Sequence, residues 1–449
     1  MGWINVFSLI SSWVWGFWMM LIFLAVGLYL SVQSGFIQFT RIGIIFRETV
    51  GAIRERALGS GGDVSPFQAT MVALGATLGS GNIVGVTSAI LVGGPGAIFW
   101  MWLAGLVGMA TKFGEAVLAV HYRTRYADGS VSGGPMYYIS RGLGMPWLGA
   151  LFAIFAALAA FGIGNVVQVS AMAGAFKSNL NVPPAWTGLL AAMLVAYALA
   201  GGIKRIASFA QVLVPLMIIL YLGIALVVLV LHASNVIPAI VAIFQSAFNP
   251  QAGVGGAVGV ATKEMIKAGV GRGIFSNEAG LGSAPIAHAQ AQVDHPVRQG
   301  FWGVMEVFVD TIVINTFTAL VLLSTSAWLQ GGKPFDVLMG SFGELGTLRM
   351  LMPLVLVLFV FTTLVSWAFY GEESAVYLLG EGIRWPYRLA FVTMAFVGGL
   401  GTFSGLVIVS EAMNGLMAIP NLIALVLLGG VIAALTRGFF NGEPWNPPE

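Results

Sequence analysis

The feature that most constrains this chain is its succession of long apolar stretches, which leave little room for charged residues. Of its 449 residues, 58% are hydrophobic and only 8% are charged, whereas about 25% charged is usual for a soluble domain. A helix needs about 20 apolar residues to cross a bilayer. The sequence therefore predicts an all-α polytopic membrane protein with about eleven transmembrane helices. The predicted spans are 13–32, 66–92, 97–120, 147–176, 185–203, 210–232, 256–290, 301–328, 350–371, 387–405 and 417–436.

Composition also excludes several kinds of site. The chain has no cysteine, so disulfides, iron–sulfur clusters and thiolate zinc sites are excluded. Its net charge of +2 gives no argument for a nucleic-acid partner. No Lys or Arg precedes the first apolar stretch and no small-residue cleavage site follows it, so we expect 13–32 to be a retained span.

Two of the predicted spans contain glycine-rich interruptions. Residues 75–86 read GATLGSGNIVGV, and residues 269–282 read GVGRGIFSNEAGLG. Glycine costs about 1 kcal/mol against alanine in a helix interior, and lipid cannot satisfy the backbone groups that an unwound helix exposes. Each cluster therefore predicts a broken helix around a polar cavity, although small residues that merely pack helices together are an alternative. Paired breaks are typical of secondary transporters.

The distribution of basic residues orients the predicted spans. One set of loops collects Arg41, Arg47, Arg54, Arg56, Arg123, Arg125, Arg141, Lys204, Arg205, Arg298, Arg384, Arg388 and Arg437. The opposite set carries Lys177, Lys333 and Arg349. Because basic loops stay on the cytoplasmic side, we expect the N-terminus outside and the C-terminus in the cytoplasm.

With this topology, the two broken helices begin on opposite sides of the membrane. The chain then divides into an additional transmembrane helix with an amphipathic interfacial segment (1–62), a first five-helix repeat (63–235), a second, inverted repeat (236–437) and a cytoplasmic tail (438–449). Such inverted repeats are common in secondary transporters.

Five motifs resemble those of the alanine/glycine:cation symporter family, also called the sodium:alanine symporters. They are TLGSGNIVG (77–85), GGPGAIFWMW (93–102), GGPMYY (133–138), FSNEAGLGSAP (275–285) and AFYGEE (368–373). The resemblance implies a leucine-transporter-like fold with a five-plus-five inverted repeat. It also implies transport of small amino acids with sodium and, in some members, with protons.

The chemistry of the first break suits a zwitterionic amino acid. The half-helix that begins near Gly81 and Asn82 directs N–H groups and a positive dipole end at a carboxylate. The half-helix that ends near Thr77 directs carbonyl groups at an ammonium group or a sodium ion. Gly79 and Gly81 permit close approach, and the side chains of Ser80 and Asn82 can add contacts.

Other substrate contacts come chiefly from the resemblance. It implies that Phe275 and Asn277 border the substrate and that Gln168 contacts it. Thr363 is a further candidate substrate contact, and Trp367, four residues later on the same helix face, is a candidate wall or lid. A hydrogen bond between helices is the alternative role for Gln168.

Analogy with the shared sodium site of this fold gives five oxygen ligands for co-transported Na⁺. They are the carbonyl oxygens of Gly75, Leu78 and Phe359 and the hydroxyl groups of Thr362 and Thr363. Unaided, a Thr-Thr pair in a membrane helix more often bonds back to its own preceding turn.

An acidic side chain within a membrane span costs free energy, so such residues usually have a function. Glu278 is either a structural partner of Arg272 or a proton site. Lys112 and Glu115 are spaced to pair on one helix, and Glu306 and Asp310 need partners that the sequence does not identify.

The function expected from these observations is sodium-coupled symport of alanine or glycine into the cell, across the inner or plasma membrane of a prokaryote. Symport of glutamine with sodium is the main alternative within the family. A channel is disfavoured because paired breaks in one chain form a single central site. An enzyme is disfavoured because the sequence offers no credible nucleophile–base pair.

Overall fold

Helices form nearly all of the regular structure. A computed structural model describes residues 2–53, 61–79, 81–126, 129–248, 258–401 and 403–448. The helices of the first half are α1 (Gly2–Val14), α2 (Phe17–Gln33), α3 (Ile37–Thr40), α4 (Ile42–Glu48), α5 (Pro66–Thr77), α6 (Val86–Gly93), α7 (Gly96–His121), α8 (Pro135–Tyr137), α9 (Pro146–Phe161), α10 (Val167–Leu180), α11 (Pro184–Leu199), α12 (Gly202–Leu231) and α13 (Ala233–Phe248). Those of the second half are α14 (Val258–Asn277), α15 (Ala284–His288), α16 (Pro296–Val307), α17 (Asn315–Ser324), α18 (Pro334–Ser341), α19 (Leu351–Leu379), α20 (Arg384–Leu400), α21 (Ser404–Leu427) and α22 (Gly429–Asn441).

Shorter elements connect or interrupt these helices. Segments of π-helix cover Gly81–Gly85, Tyr138–Gly142, Gly162–Val166 and Phe308–Ile314. Turns of 3₁₀-helix cover Ala327–Gln330, Gly343–Met350 and Glu381–Ile383. Strands β1 (Thr124–Arg125) and β2 (Val131–Ser132) form a small antiparallel hairpin, with Thr124 opposite Ser132.

The expectation of a polytopic helical membrane protein is confirmed. Among the described residues, six helices or helix runs are long and apolar enough to cross a bilayer. Two bent pairs raise this number to eight when each counts as one span. The predicted number of eleven also includes α11, which has only 16 residues, and the stretch that contains α14, which has 20 residues but is not among the six.

The N-terminal span differs from its predicted bounds of 13–32. The structure has two helices there, α1 and α2, bent by 42°. The bend lies at Gly16, where a Cβ atom would come within 2.9 Å of the Trp13 carbonyl oxygen. Glycine permits this tight corner, which a hydropathy count does not detect. The interfacial segment predicted to follow is helical in α3 and α4, and its residues 54–60 lie outside the described structure.

The last predicted span, 417–436, is out of register. The structure has α21 at 404–427 and α22 at 429–441. The prediction failed because Ser410 and Glu411 make the start of α21 polar. Ser410 is nevertheless buried: its hydroxyl donates to the Ala159 carbonyl oxygen (2.6 Å) and accepts from the Ile163 N–H group (2.8 Å). A hydroxyl satisfied by another helix is compatible with a membrane span.

Two further differences concern helices that are longer or more numerous than expected. Helix α13 occupies the connection predicted between spans 210–232 and 256–290. Helix α19 continues beyond its predicted end at 371 because its buried acids are neutralised. Glu372 pairs with Arg388 (2.5 Å) and Glu373 pairs with Arg384 (2.6 Å).

The start of the first broken helix and the end of the second are joined by backbone hydrogen bonds. Val64 and Ala291 form a parallel bridge, in which the Gln292 N–H group donates to the Val64 carbonyl oxygen (2.9 Å). Arg123 donates to the carbonyl oxygens of Ala291 (2.6 Å) and Ala289 (3.2 Å). Burial and the neighbouring Arg125 lower the pKa of Arg123 to about 10. The two broken helices are therefore fastened to each other at this end.

Helices α7 and α14 pack with their backbones close together. A Cβ atom on Gly269 would lie 2.1 Å from the Ala97 carbonyl oxygen. Small residues at such contacts are the usual way in which membrane helices associate, because lipid gives no hydrophobic driving force between them.

We predict that Gly269→Ala lowers stability, by about 1–3 kcal/mol, because the added methyl group overpacks a backbone contact. The thermal unfolding midpoint of the purified protein in detergent measures this effect. Gly223→Ala is the matched control, since a Cβ atom there meets nothing within 4 Å. Equal midpoints for the two variants would contradict the prediction.

Candidate functional site

The first broken helix unwinds where the glycine cluster predicts. Helix α5 begins with a capping box, in which the Ser65 hydroxyl accepts from the Gln68 N–H group and the Gln68 side chain accepts from Ser65 N–H. It ends at Thr77. The Gly79 N–H group then donates to the Thr77 carbonyl oxygen (3.0 Å) and to Asn82 Oδ1 (3.1 Å). In an unbroken helix, the Gly79 N–H group would donate to the Gly75 carbonyl oxygen. Here it does not, so the Gly75 carbonyl oxygen lacks this donor.

The hydroxyl of Thr363 reaches the carbonyl groups of this break. Its Oγ1 donates to the carbonyl oxygens of Gly75 (3.0 Å) and Leu78 (3.3 Å). Ser366, one turn further along α19, donates to the Val72 carbonyl oxygen (2.8 Å). Helix α19 thus supplies hydroxyl groups along the end of α5.

The neighbouring Thr362 behaves differently. Its hydroxyl donates within α19, to the carbonyl oxygens of Leu358 (2.9 Å) and Phe359 (3.1 Å). Thr362 therefore makes the back-bond that was the alternative for the pair. The Thr362 Cβ nevertheless lies against Gly75: a Cβ atom added at Gly75 would be 3.1 Å from it. The candidate sodium ligands are hence within one small region.

Gln168 lies beside the same break. A Cβ atom added at Gly79 would lie 3.5 Å from both polar atoms of the Gln168 amide. It would lie 2.9 Å from the Thr363 hydroxyl oxygen. The Gln168 side chain also donates to the Ile163 carbonyl oxygen (3.1 Å). Trp367 packs on Gly164, where a Cβ would lie 2.3 Å from the Trp367 Cβ.

Phe275 contacts the other side of the break. Its ring lies 3.7 Å from the position of a Cβ on Gly81. Gly79, Gln168, Thr363 and Phe275 therefore lie at or beside the first break. Their role as substrate contacts stays a prediction. Ser80, also predicted as a contact, lies outside the described residues.

Asn82 and Asn277 lie in buried hydrogen-bond networks between helices. The Asn82 amide donates to Asp310 Oδ1 (2.5 Å), Ser276 Oγ (2.8 Å) and Asn315 Oδ1 (3.0 Å). Asn277 donates to the Thr311 hydroxyl (3.0 Å). Asn82 therefore joins the first break to the second, and these amides already have protein partners. Their predicted role as direct substrate contacts stays a prediction.

Asp310 has its partners within the same network. Its carboxylate also accepts from Ser276 (3.0 Å) and Thr311 (2.7 Å). Sequence reasoning did not identify Ser276 or Asn315 as site residues. Ser276 lies within the quoted FSNEAGLGSAP motif, but Asn315 has no local signal because its partners are distant in the chain.

The second break is stabilised by buried polar side chains. Helix α14 ends at Asn277, and Glu278 adopts a left-handed conformation (φ 55°). The Gly280 N–H group donates to Glu115 (3.1 Å), and Asn421 donates to both Glu115 (2.6 Å) and the Gly280 carbonyl oxygen (2.9 Å). Ser283 donates to Glu278. This break therefore takes its partners from α7 and α21.

The expected ion pairs are arranged differently. Among the described residues, Glu278 has no ion pair with Arg272, which lies instead within electrostatic range of Glu411. Lys112 pairs with Glu306 (3.2 Å) rather than with Glu115, and His288 also bonds Glu306 (2.8 Å). Glu306 thus acquires the partners that the sequence left unidentified.

Comparisons with known proteins agree with this architecture. The profile described as "Sodium:alanine symporter family" matches residues 2–444. The chain belongs to the sodium:alanine symporter family. An uncharacterized transporter of Haemophilus influenzae is 45% identical, covering 97% of this chain and 96% of its own. The sodium/alanine symporter AgcS of Methanococcus maripaludis is 43% identical, covering 98% of each chain.

The fold of this family member is similar to that of a solved transporter. The crystal structure of MhsT in complex with L-phenylalanine aligns with a TM-score of 0.53 and 17% identity, covering 86% of this chain and 91% of that one. The leucine-transporter-like fold expected from the sequence is therefore confirmed. The protein is a multi-pass membrane transporter of the amino-acid symporter class, and not an enzyme.

We predict that Lys112→Met destabilises the protein strongly, by about 3–5 kcal/mol, because Glu306 is left buried without its cation. Both side chains are fully buried. The double variant Lys112→Met, Glu306→Met should regain much of this loss in thermal unfolding in detergent. Lys267→Met is the matched control, because the pair of Lys267 and Glu264 is exposed. A melting temperature unchanged by Lys112→Met would contradict the prediction.

Proposed function

We propose that this protein is a sodium-coupled symporter that carries alanine or glycine into a prokaryotic cell across its plasma membrane. The observation that carries the proposal is the contact of the Thr363 hydroxyl with the carbonyl groups of Gly75 and Leu78. It gathers oxygen atoms at an unwound helix, which is how secondary transporters commonly bind sodium. The relative named a sodium/alanine symporter supports both the ion and the substrate.

The proposed cation site uses carbonyl oxygens of Gly75, Leu78 and Phe359 and hydroxyl oxygens of Thr362 and Thr363. A cation there would accept lone pairs from oxygens that now take part in hydrogen bonds with the two threonines. Both hydroxyls would have to rotate so that their hydrogens point away from the ion. Sodium would thereby replace hydrogen bonds between α5 and α19 with shared coordination.

The proposed substrate site lies alongside, at Gly79, Gly81, Gln168, Phe275 and Trp367. Glycines without side chains leave space for a small amino acid, and the Gln168 amide can accept from an ammonium group or donate to a carboxylate. Trp367 and Phe275 supply apolar walls. A neutral zwitterion suits this site because the groups around it carry no net charge.

Transport would proceed by alternating access around these two breaks. On the proposed orientation, the N-terminus is outside and the bridge between Val64 and Ala291 lies on the cytoplasmic side. That bridge and the Arg123 contacts would close the inner path. Release into the cell would require them to separate.

We predict that Thr363→Val raises the sodium concentration for half-maximal uptake of labelled alanine by about tenfold or more. The change removes one oxygen ligand, and 1.4 kcal/mol corresponds to a factor of ten. Uptake into proteoliposomes with a varied inward sodium gradient measures it. Thr87→Val is the matched control, since among the described residues its buried hydroxyl donates to the preceding turn (Ile83 carbonyl oxygen, 2.8 Å) and not to α19. Full wild-type uptake without sodium or protons would refute the coupling.

We also predict that unlabelled alanine and glycine compete for uptake of labelled alanine and that glutamine does not. The larger side chain of glutamine would meet Trp367, which is fixed against Gly164. The measurement is inhibition by a panel of natural amino acids, each in sodium and in lithium. Stronger inhibition by glutamine than by alanine would instead favour the sodium:glutamine alternative.

A further inference from the structure

A cavity with both charged and apolar walls lies next to the proposed substrate site. It has a volume of about 250 Å³, ample for a small amino acid with some water, since a water occupies about 30 Å³ of the liquid. Its walls come from α6, α14, α21 and the corner between α1 and α2. Its lining includes Ser11, Trp15, Ser88, Arg272, Phe275 and Glu411.

The charges of this cavity are balanced. Two acids and two bases line it, of which Lys267 and Glu264 pair with each other on α14 (3.8 Å). Arg272 on α14 and Glu411 on α21 attract each other. Among the described residues, however, their charged groups form no direct ion pair. One free cation and one free anion therefore face the same small space.

Phe275 forms the boundary between this cavity and the first break. It lines the cavity and also lies against Gly81. Its ring contacts that of Trp15 (centroids 5.5 Å apart), and the Trp15 indole donates to the Glu411 carbonyl oxygen (3.1 Å). Arg272 precedes Phe275 by three residues, so the two lie about one helical turn apart.

We propose that this outer cavity binds a zwitterionic amino acid before it reaches the first break. Arg272 receives the carboxylate, Glu411 receives the ammonium group, and Trp15 forms an apolar wall beside them. The proposal rests on the proposed function, because it gives the transported substrate a binding site on its inward path. The additional N-terminal helix pair then has a role in substrate capture.

The physical chemistry favours this class of ligand. A guanidinium group matches a carboxylate with parallel hydrogen bonds, and a carboxylate accepts from an ammonium group. A ligand with a single charge would satisfy one of these groups and be repelled by the other. Arg272 is exposed and Glu411 is half-buried, so water weakens both contacts. Binding is therefore weak enough to pass the substrate onward.

A single introduced thiol can test the proposal, because the chain contains no cysteine. Ser88→Cys places the thiol on the α6 wall, and Ser11→Cys gives a second reporter on α1. The purified protein is labelled with a polar maleimide at increasing alanine concentrations. We expect alanine to slow labelling several-fold in both reporters.

Second substitutions locate the bound alanine. Gly79→Val fills the central site, since its side chain would meet the Thr363 hydroxyl; it should abolish uptake and leave protection intact. Arg272→Gln or Glu411→Gln should raise the half-protecting alanine concentration about tenfold, as expected for one charge-assisted contact. Lys267→Gln is the control at the rim and should leave protection unchanged.

The outcomes separate the two proposals. Protection that disappears with Gly79→Val, or that survives both Arg272→Gln and Glu411→Gln, would overturn the outer site. Alanine uptake in the wild-type protein without protection of either thiol would also overturn it, and would leave the proposed function standing. Protection without sodium-dependent uptake would contradict the proposed function and support the outer site.

Discussion

The structure depends on how the unwound backbone of α5 is satisfied within an apolar surrounding. Carbonyl groups without donors are costly in a membrane. The break deprives the Gly75 oxygen of its ordinary helical donor, and Leu78 lies at the end of α5. The Thr363 hydroxyl supplies a donor to both. The same atoms that stabilise the break can therefore coordinate a cation, because a hydroxyl that rotates changes from donor to ligand. At the proposed cation site, stability of the fold and binding of the ion would use one set of oxygens.

The second break follows the same requirement with different chemistry. Its backbone near Gly280 is satisfied by Glu115 and Asn421, from two other helices. Asn82 then connects the first break to Ser276 at the end of α14. A displacement of either broken helix must lengthen or exchange these buried bonds, and unsatisfied polar groups are expensive there. The two breaks are therefore expected to move together.

Sequence reasoning found what local composition encodes. Glycine clusters identified both breaks, although the second begins only after Asn277 and residues 269–277 stay helical in α14. A Thr-Thr pair identified the face of α19 that meets the first break. It did not find the roles of Ser276, Asp310 and Asn315, because their partners are far apart in the chain. It placed the last span too late for the same reason: Ser410 appears polar in the sequence but is satisfied by the π-helical turn at Ile163. A hydropathy count cannot include a partner on another helix.

Adjacent threonines illustrate how one sequence signal divides into two functions. Consecutive residues on a helix point in directions about 100° apart, so Thr363 faces the break while Thr362 bonds back to Leu358 and Phe359. A cation that uses both hydroxyls must draw Thr362 away from its own helix. Breaking that back-bond costs free energy. Coordination of the ion offsets this cost only where the carbonyl oxygens of Gly75 and Leu78 are already close. Ion binding would then be sensitive to the exact separation of α5 and α19, and this separation is what a rocking bundle changes.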